Sequence, residues 1–273
     1  MDRRILEANY EETSKLVTEK NLNLTEDTFK NIKFRSKFSS FLVALLLFGP
    51  LMYFIGVGLP QEIGDEKSKV AFYLSSYGTF FIPVIKITLV IWLVVFIAFL
   101  FPRKNYAVNI RDALVVMMPM FVASILIFFD LSFALSVAGI GLEATCILIV
   151  VGIFYILVAT YNVLIKIKNT LYDLNLKKIS FKWNVYVTII GLVGATVIAL
   201  LFQTIKNGFL IYSASFSILV VFVFAALMIK VFVHSSVVNH YFVKYADQYQ
   251  EKFKITDEQW YGHSKVTAKR KGK

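Results

Sequence analysis

Cysteine is almost missing from this chain. Cys146 is the only one, so neither an intramolecular disulfide nor a cysteine-based metal centre can form. It lies inside an apolar block, where a small buried hydrophobe is expected. Histidine is nearly as scarce. His234, His240 and His263 all fall after position 233, and a separation of six keeps the first two off a common helical face. Charge is thin as well, at 17% of residues against about 25% in ordinary soluble domains. There is no Gly-x-Ser-x-Gly, no His-Glu-x-x-His and no phosphate-cradling glycine loop. Gly64-Asp65 is half of an intramembrane aspartyl-protease signature, with no second half to act on. These absences lead us to expect a chain that is not an enzyme, binds no metal and carries no cofactor.

What is abundant is apolar sequence. Of 273 residues 58% are hydrophobic, with a mean hydropathy of +0.67, and they come in long blocks. A hydrocarbon core about 30 Å thick needs about 20 apolar residues of helix. Six blocks meet that length: 39–59, 79–101, 113–135, 144–165, 184–205 and 209–230. Pro60 is expected to stop the first. Ala138-Gly139-Ile140-Gly141 is expected to turn the third tightly into the fourth. The fold class is therefore an all-α integral membrane protein, a bundle of about six transmembrane helices.

Lysine and arginine set the orientation. The N-terminal tail holds eight, the 102–111 loop three, the 166–183 loop five, and the C-terminal tail together with Lys230 nine, twenty-five on one side. The other side has Lys67, Lys69 and Lys206. The positive-inside rule then places both termini in the cytoplasm of a multi-pass cell-membrane protein. The formal net charge of +11 follows from this bias, and no nucleic-acid partner is expected. The start, MDRRILEANYEETSKL, has no apolar core and is not expected to be a signal peptide. The 61–77 loop, with Phe72, Tyr73 and Tyr77 at the interface, is too small for an external domain.

Three regions result: an N-terminal tail (1–38), a six-span domain (39–233) and a C-terminal tail (234–273). Residues 2–20 have the pattern of a weakly amphipathic helix. Thr25 is placed to cap a second, basic helix bearing Phe29, Ile32, Phe34 and Phe38, suited to anionic lipids at the bilayer surface. Past the sixth span, Val238, Phe242, Tyr245, Tyr249 and Phe253 recur at steps of four, three, four and four, one helical stripe. A stripe that apolar needs cover: the N-terminal helix, a second copy of the chain, a protein partner or lipid headgroups. Thr256 and Gln259 have capping-box spacing before a last short helix with Trp260 and Tyr261.

Ionisable residues within spans are functional candidates, because hydrocarbon makes them costly. Lys86, Asp130 and Glu143 are three, all read toward the outer leaflet, and Lys86 and Asp130 are close enough in expected depth to pair. Pro50, Pro83 and Pro119 each interrupt one of the first three spans. Proline removes a backbone hydrogen bond and kinks a helix, so a cavity-bearing half packed on a straight half is expected. A long and then a short loop in each half also fits two inverted repeats. Two functional readings follow. The first is a non-enzymatic transport-type protein, a small permease or a membrane subunit of a larger transporter. The alternative is a membrane-embedded interaction protein, such as an immunity factor, assembly scaffold or regulator, acting through its tails. A polar cavity around Lys86 and Asp130 would favour the first reading, and a dry bundle with an exposed groove the second.

Overall fold

Six long apolar helices dominate the computed structural model, which describes residues 4–25, 29, 34–62, 69–101, 103–202 and 212–261. There are no strands among the described residues. The helices are α1 (Phe34–Glu62), α2 (Lys69–Leu100), α3 (Tyr106–Ile140), α4 (Leu142–Tyr172), α5 (Phe181–Leu201) and α6 (Ser217–Lys244), followed by the short α7 (Ala246–Lys252) and α8 (Asp257–Tyr261).

The helices outrun the apolar blocks. With 35 residues, α3 is about 50 Å long, well beyond a hydrocarbon core. The excess lies mostly at the end where the chain termini meet: the start of α3, the end of α4 and the end of α6 join the N-terminal segment there. Pro60 does not stop the first helix, which runs on through it to Glu62. The 61–77 stretch is not all loop either, since α2 is helical from Lys69. In both cases hydropathy marks where a helix can touch lipid and is silent on where the helix ends.

The turn between α3 and α4 is tighter than expected, because Ala138, Gly139 and Ile140 stay within α3. Gly141 alone separates them, at φ 86°, a left-handed backbone that costs glycine little. The two helices then diverge and α6 enters between them, packing along both. α5 lies against α4, with Gly191 seating Val151 and Ala195 fully buried. α2 packs along α3, and α1 sits outermost on α2. Only 11% of the most apolar window of α1 is buried, against 39% for α4, so α1 is peripheral and α4 central. Neighbours therefore run 1–2–3 in the first half and 5–4–6 in the second, an order that inverted repeats would not give.

Prolines shape the first half. α1 carries π-helical turns at Ala44–Phe48 and Phe54–Gly58 around Pro50. The Gly49 N–H donates to the Ala44 carbonyl and the Leu59 N–H to that of Phe54, five residues back. This wider winding absorbs the hydrogen bond that Pro50 cannot make. Pro83 and Pro119 lie within otherwise continuous helices. Cys146 departs from expectation: it is exposed on α4. The bilayer resolves this, because an outward face at that depth meets lipid.

Candidate functional site

The terminal segments come together first. Residues 5–22 do not form one helix. Asn9 closes a capping box with Glu12, Thr18 caps Glu19–Leu22, and Asn23 ends that turn at φ 51°. Each cap offers the backbone a local partner and so interrupts a longer helix. The resulting short turns wrap the end of α6. The Ala8 N–H donates to the Tyr241 hydroxyl at 3.1 Å, the Tyr245 hydroxyl donates to the Ala8 carbonyl at 2.9 Å, and Thr13 Oγ1 pairs with the Tyr249 hydroxyl at 2.8 Å. The Tyr10 ring meets Tyr245 edge-on and Tyr249 at a tilt.

Val238, Phe242 and Tyr249 are fully buried here, with Tyr245 and Phe253 packed beside them. The N-terminal segment is thus the surface that covers the stripe, and its side chains do not form an open face. The helix beneath it is broken at Tyr245 (φ −113°, ψ 38°), where α6 gives way to α7. The expected capping box opens α8: the Thr256 N–H donates to Gln259 Oε1 at 3.1 Å and the Gln259 N–H to Thr256 Oγ1 at 3.3 Å. It places the buried Trp260 ring 5.6 Å from Phe242 and 6.3 Å from Tyr106. Desolvation pushes the Tyr249 phenol up to about 12, against the opposing pull of its Thr13 bond.

Below this clasp lies a cavity of about 790 Å³ between α1, α2 and α3. Its origin is a change in spacing along α1. At Gly56 the helix comes so close to α3 that a Cβ would sit 2.6 Å from Ile127 Cγ1 and 3.2 Å from Ile85 Cγ2. Toward the termini α1 stays on α2 while α3 draws away. The gap is walled by aromatic and aliphatic side chains, among them Trp92, Phe96, Phe99, Val116 and Met120. Leu22 and Asn23 of the N-terminal segment close its end. Phe48 and Met117 line it and are half exposed, so it opens sideways between α1 and α3.

One end of this cavity is polar. Lys37 is 4% exposed and Asn109 5%. The Lys37 ammonium donates to the Phe99 carbonyl at 3.2 Å and lies 4.1 Å from the centroid of the Phe99 ring. Arg103 and Asp112, an ion pair at 2.7 Å, are within its electrostatic reach, and Asp112 also holds Arg111 at 2.9 Å. Asn109 Oδ1 is buried with no hydrogen-bond partner among the described residues. In sequence Lys37 belongs to the basic helix suited to the bilayer surface. Its burial depends on α2 and α3 crossing beside it, which no local pattern encodes. Pro50, Pro83 and Pro119, by contrast, all belong to helices that build the cavity.

The intramembrane charges are not gathered. Asp130 is 2% exposed, with no partner for Oδ1 among the described residues, and faces α2 at Gly78, where a Cβ would stand 2.8 Å from Oδ2. Lys86 lies two helical turns further along α2, exposed, and no ion pair joins it to Asp130 among the described residues. Glu143 is exposed in the first turn of α4, where a carboxylate suits the helix dipole. No cluster of metal-ligating side chains occurs among the described residues. His263 and the basic 262–273 stretch, like Ile32 and its neighbours, lie outside the described residues.

The fold defines an all-helical, multi-pass membrane protein. No family model, curated protein or solved structure matches the chain.

Proposed function

We propose that this is a non-enzymatic, transport-type protein of the cell membrane, a small permease or the membrane subunit of a larger transporter, whose solute occupies the cavity between α1, α2 and α3. The carrying observation is that cavity, set in the proline-bearing half and open sideways toward lipid. Its lining is chiefly apolar with a few convergent polar groups, the usual make-up of a small-molecule site. The polar cavity expected around Lys86 and Asp130 is not what is found: this one lies away from both, and with apolar walls the solute it suits is an amphiphile drawn from the bilayer. The interaction-protein reading loses its main motive, because the aromatic stripe is covered by the chain's own N-terminal segment. The lysine and arginine bias supports a cytoplasmic position for both termini, which puts the polar end of the cavity near the inner leaflet.

Ala113 lines the cavity, and Ala113→Phe would fill part of it. Proteoliposomes carrying the wild-type chain should move a fluorescent single-chain lipid between leaflets faster than empty liposomes, or bind it saturably where movement needs a further subunit. Ala113→Phe should remove either effect. Movement and binding no different from empty liposomes would overturn the proposal.

A further inference from the structure

Lys37 is a cation inside the cavity with which no carboxylate among the described residues forms an ion pair. Asp112, the nearby acid, is already held by Arg103 and Arg111, and the described residues place no acidic side chain on Lys37. An ammonium has three donors. One goes to the Phe99 carbonyl and the Phe99 ring lies beside the charge, which leaves donor capacity unused. Asn109 Oδ1, also on the cavity wall, is a buried acceptor with no donor among the described residues. Buried charges and buried amides are ordinarily paired. Both defects lie on one cavity, and both would be met by a head group that is anionic and also carries a donor.

We propose that the cavity binds a single-chain anionic amphiphile, with its carboxylate or phosphate oxygens at Lys37, a hydroxyl of the head, where it carries one, donating to Asn109 Oδ1, and its acyl tail along Trp92 and Phe96. The inference rests on reading this cavity as the solute site. The apolar walls recognise the tail without sequence-like specificity, and the opening at Phe48 and Met117 gives it a route in from lipid. A cationic head would meet Lys37 and Arg103, with Asp112 alone among the described acids in reach to offset them. A neutral head would leave Lys37 uncompensated. A volume of about 790 Å³ falls within the range of about 300–1,000 Å³ usual for small-molecule sites, as one chain with a compact head requires. The Leu22–Asn23 turn at the end of the cavity keeps the head from the solvent beyond.

Equilibrium binding to the full chain in phosphatidylcholine nanodiscs tests this, with empty nanodiscs subtracted. Three tritiated probes share one tail: oleate, 1-oleoylglycerol 3-phosphate and 1-oleoylglycerol. At least one anionic probe should bind about tenfold or more tighter than the neutral glycerol ester, the scale of a charge-assisted hydrogen bond, and the stronger of the two identifies the head group. Lys37→Gln should erase that preference while keeping 1-oleoylglycerol binding, which shows the variant folded. Lys37→Arg should retain it. Equal binding of all three probes, or a preference that survives Lys37→Gln, overturns the head-group assignment and leaves the cavity as a solute site. Saturable binding of none of the three overturns both.

Discussion

Asp130 and Gly78 show how one missing methyl decides a contact within the bilayer. The carboxylate occupies the space a Cβ would take at Gly78, with Pro60 Cβ only 3.1 Å from that point. Gly78→Ala should therefore destabilise the bundle by about 1–3 kcal/mol, as overpacking does, and a thermal melt in detergent would register it. Asp130→Asn keeps the shape and should leave the melting point unchanged or raise it. Lys86 and Asp130, matched in depth by counting residues from their span edges, sit two turns apart. A double-mutant cycle on Lys86→Met and Asp130→Asn should accordingly add within about 0.3–0.5 kcal/mol, and a larger coupling would mean that the two side chains meet. Counting fails here because both edges were drawn from hydropathy, while α2 begins ten residues earlier and α3 ends five later.

Among the elements, the two tails behave as one unit. Thr13→Val and Tyr249→Phe each remove the same 2.8 Å hydrogen bond and should each cost about 1 kcal/mol, with the double variant costing little more than either. Strictly additive losses, read from the rate of proteolysis of the N-terminal segment, would show that the bond does not hold the clasp. Burial raises the folded-state phenol of Tyr249 to about 12 from about 10 in an unfolded chain. The stability it contributes is thus complete below pH 10 and is lost as pH rises from about 10 to 12. Tyr249→Phe should flatten that loss, measured by the fluorescence of the buried Trp260, and an unchanged alkaline profile would contradict it. The stripe itself was legible, because a four-three-four repeat needs only helical geometry. Its cover was not: Ala8 meets Tyr241 and Thr13 meets Tyr249 across more than two hundred residues, and the N-terminal pattern suggested one helix where Asn9, Thr18 and Asn23 impose turns. The cavity was half legible. Three prolines marked the right helices, but the burial of Lys37 follows from where α3 departs from α1.

The whole molecule is an asymmetric bundle, dense around α4 and α6 and open on the α1 side. Six apolar runs sufficed to read its class, since no other fold hides so much apolar surface in blocks of this length. Orientation rests on charge alone, and labelling settles it. In a Cys146→Ala background an impermeant thiol reagent applied to intact cells should modify Glu62→Cys and spare Lys177→Cys, and the opposite pattern would invert the topology. The cavity is the feature on which the functional account depends, and covalent capture tests it most directly. An oleate analogue with a diazirine in mid-chain, photolysed on the protein in nanodiscs, should label residues 92–99 and 113–121, and Ala113→Phe should abolish that labelling. Capture spread over outward residues such as Phe80, Val150 and Ile190, and unchanged by Ala113→Phe, would show that the acyl chain meets only the lipid-facing surface and that the cavity holds no solute.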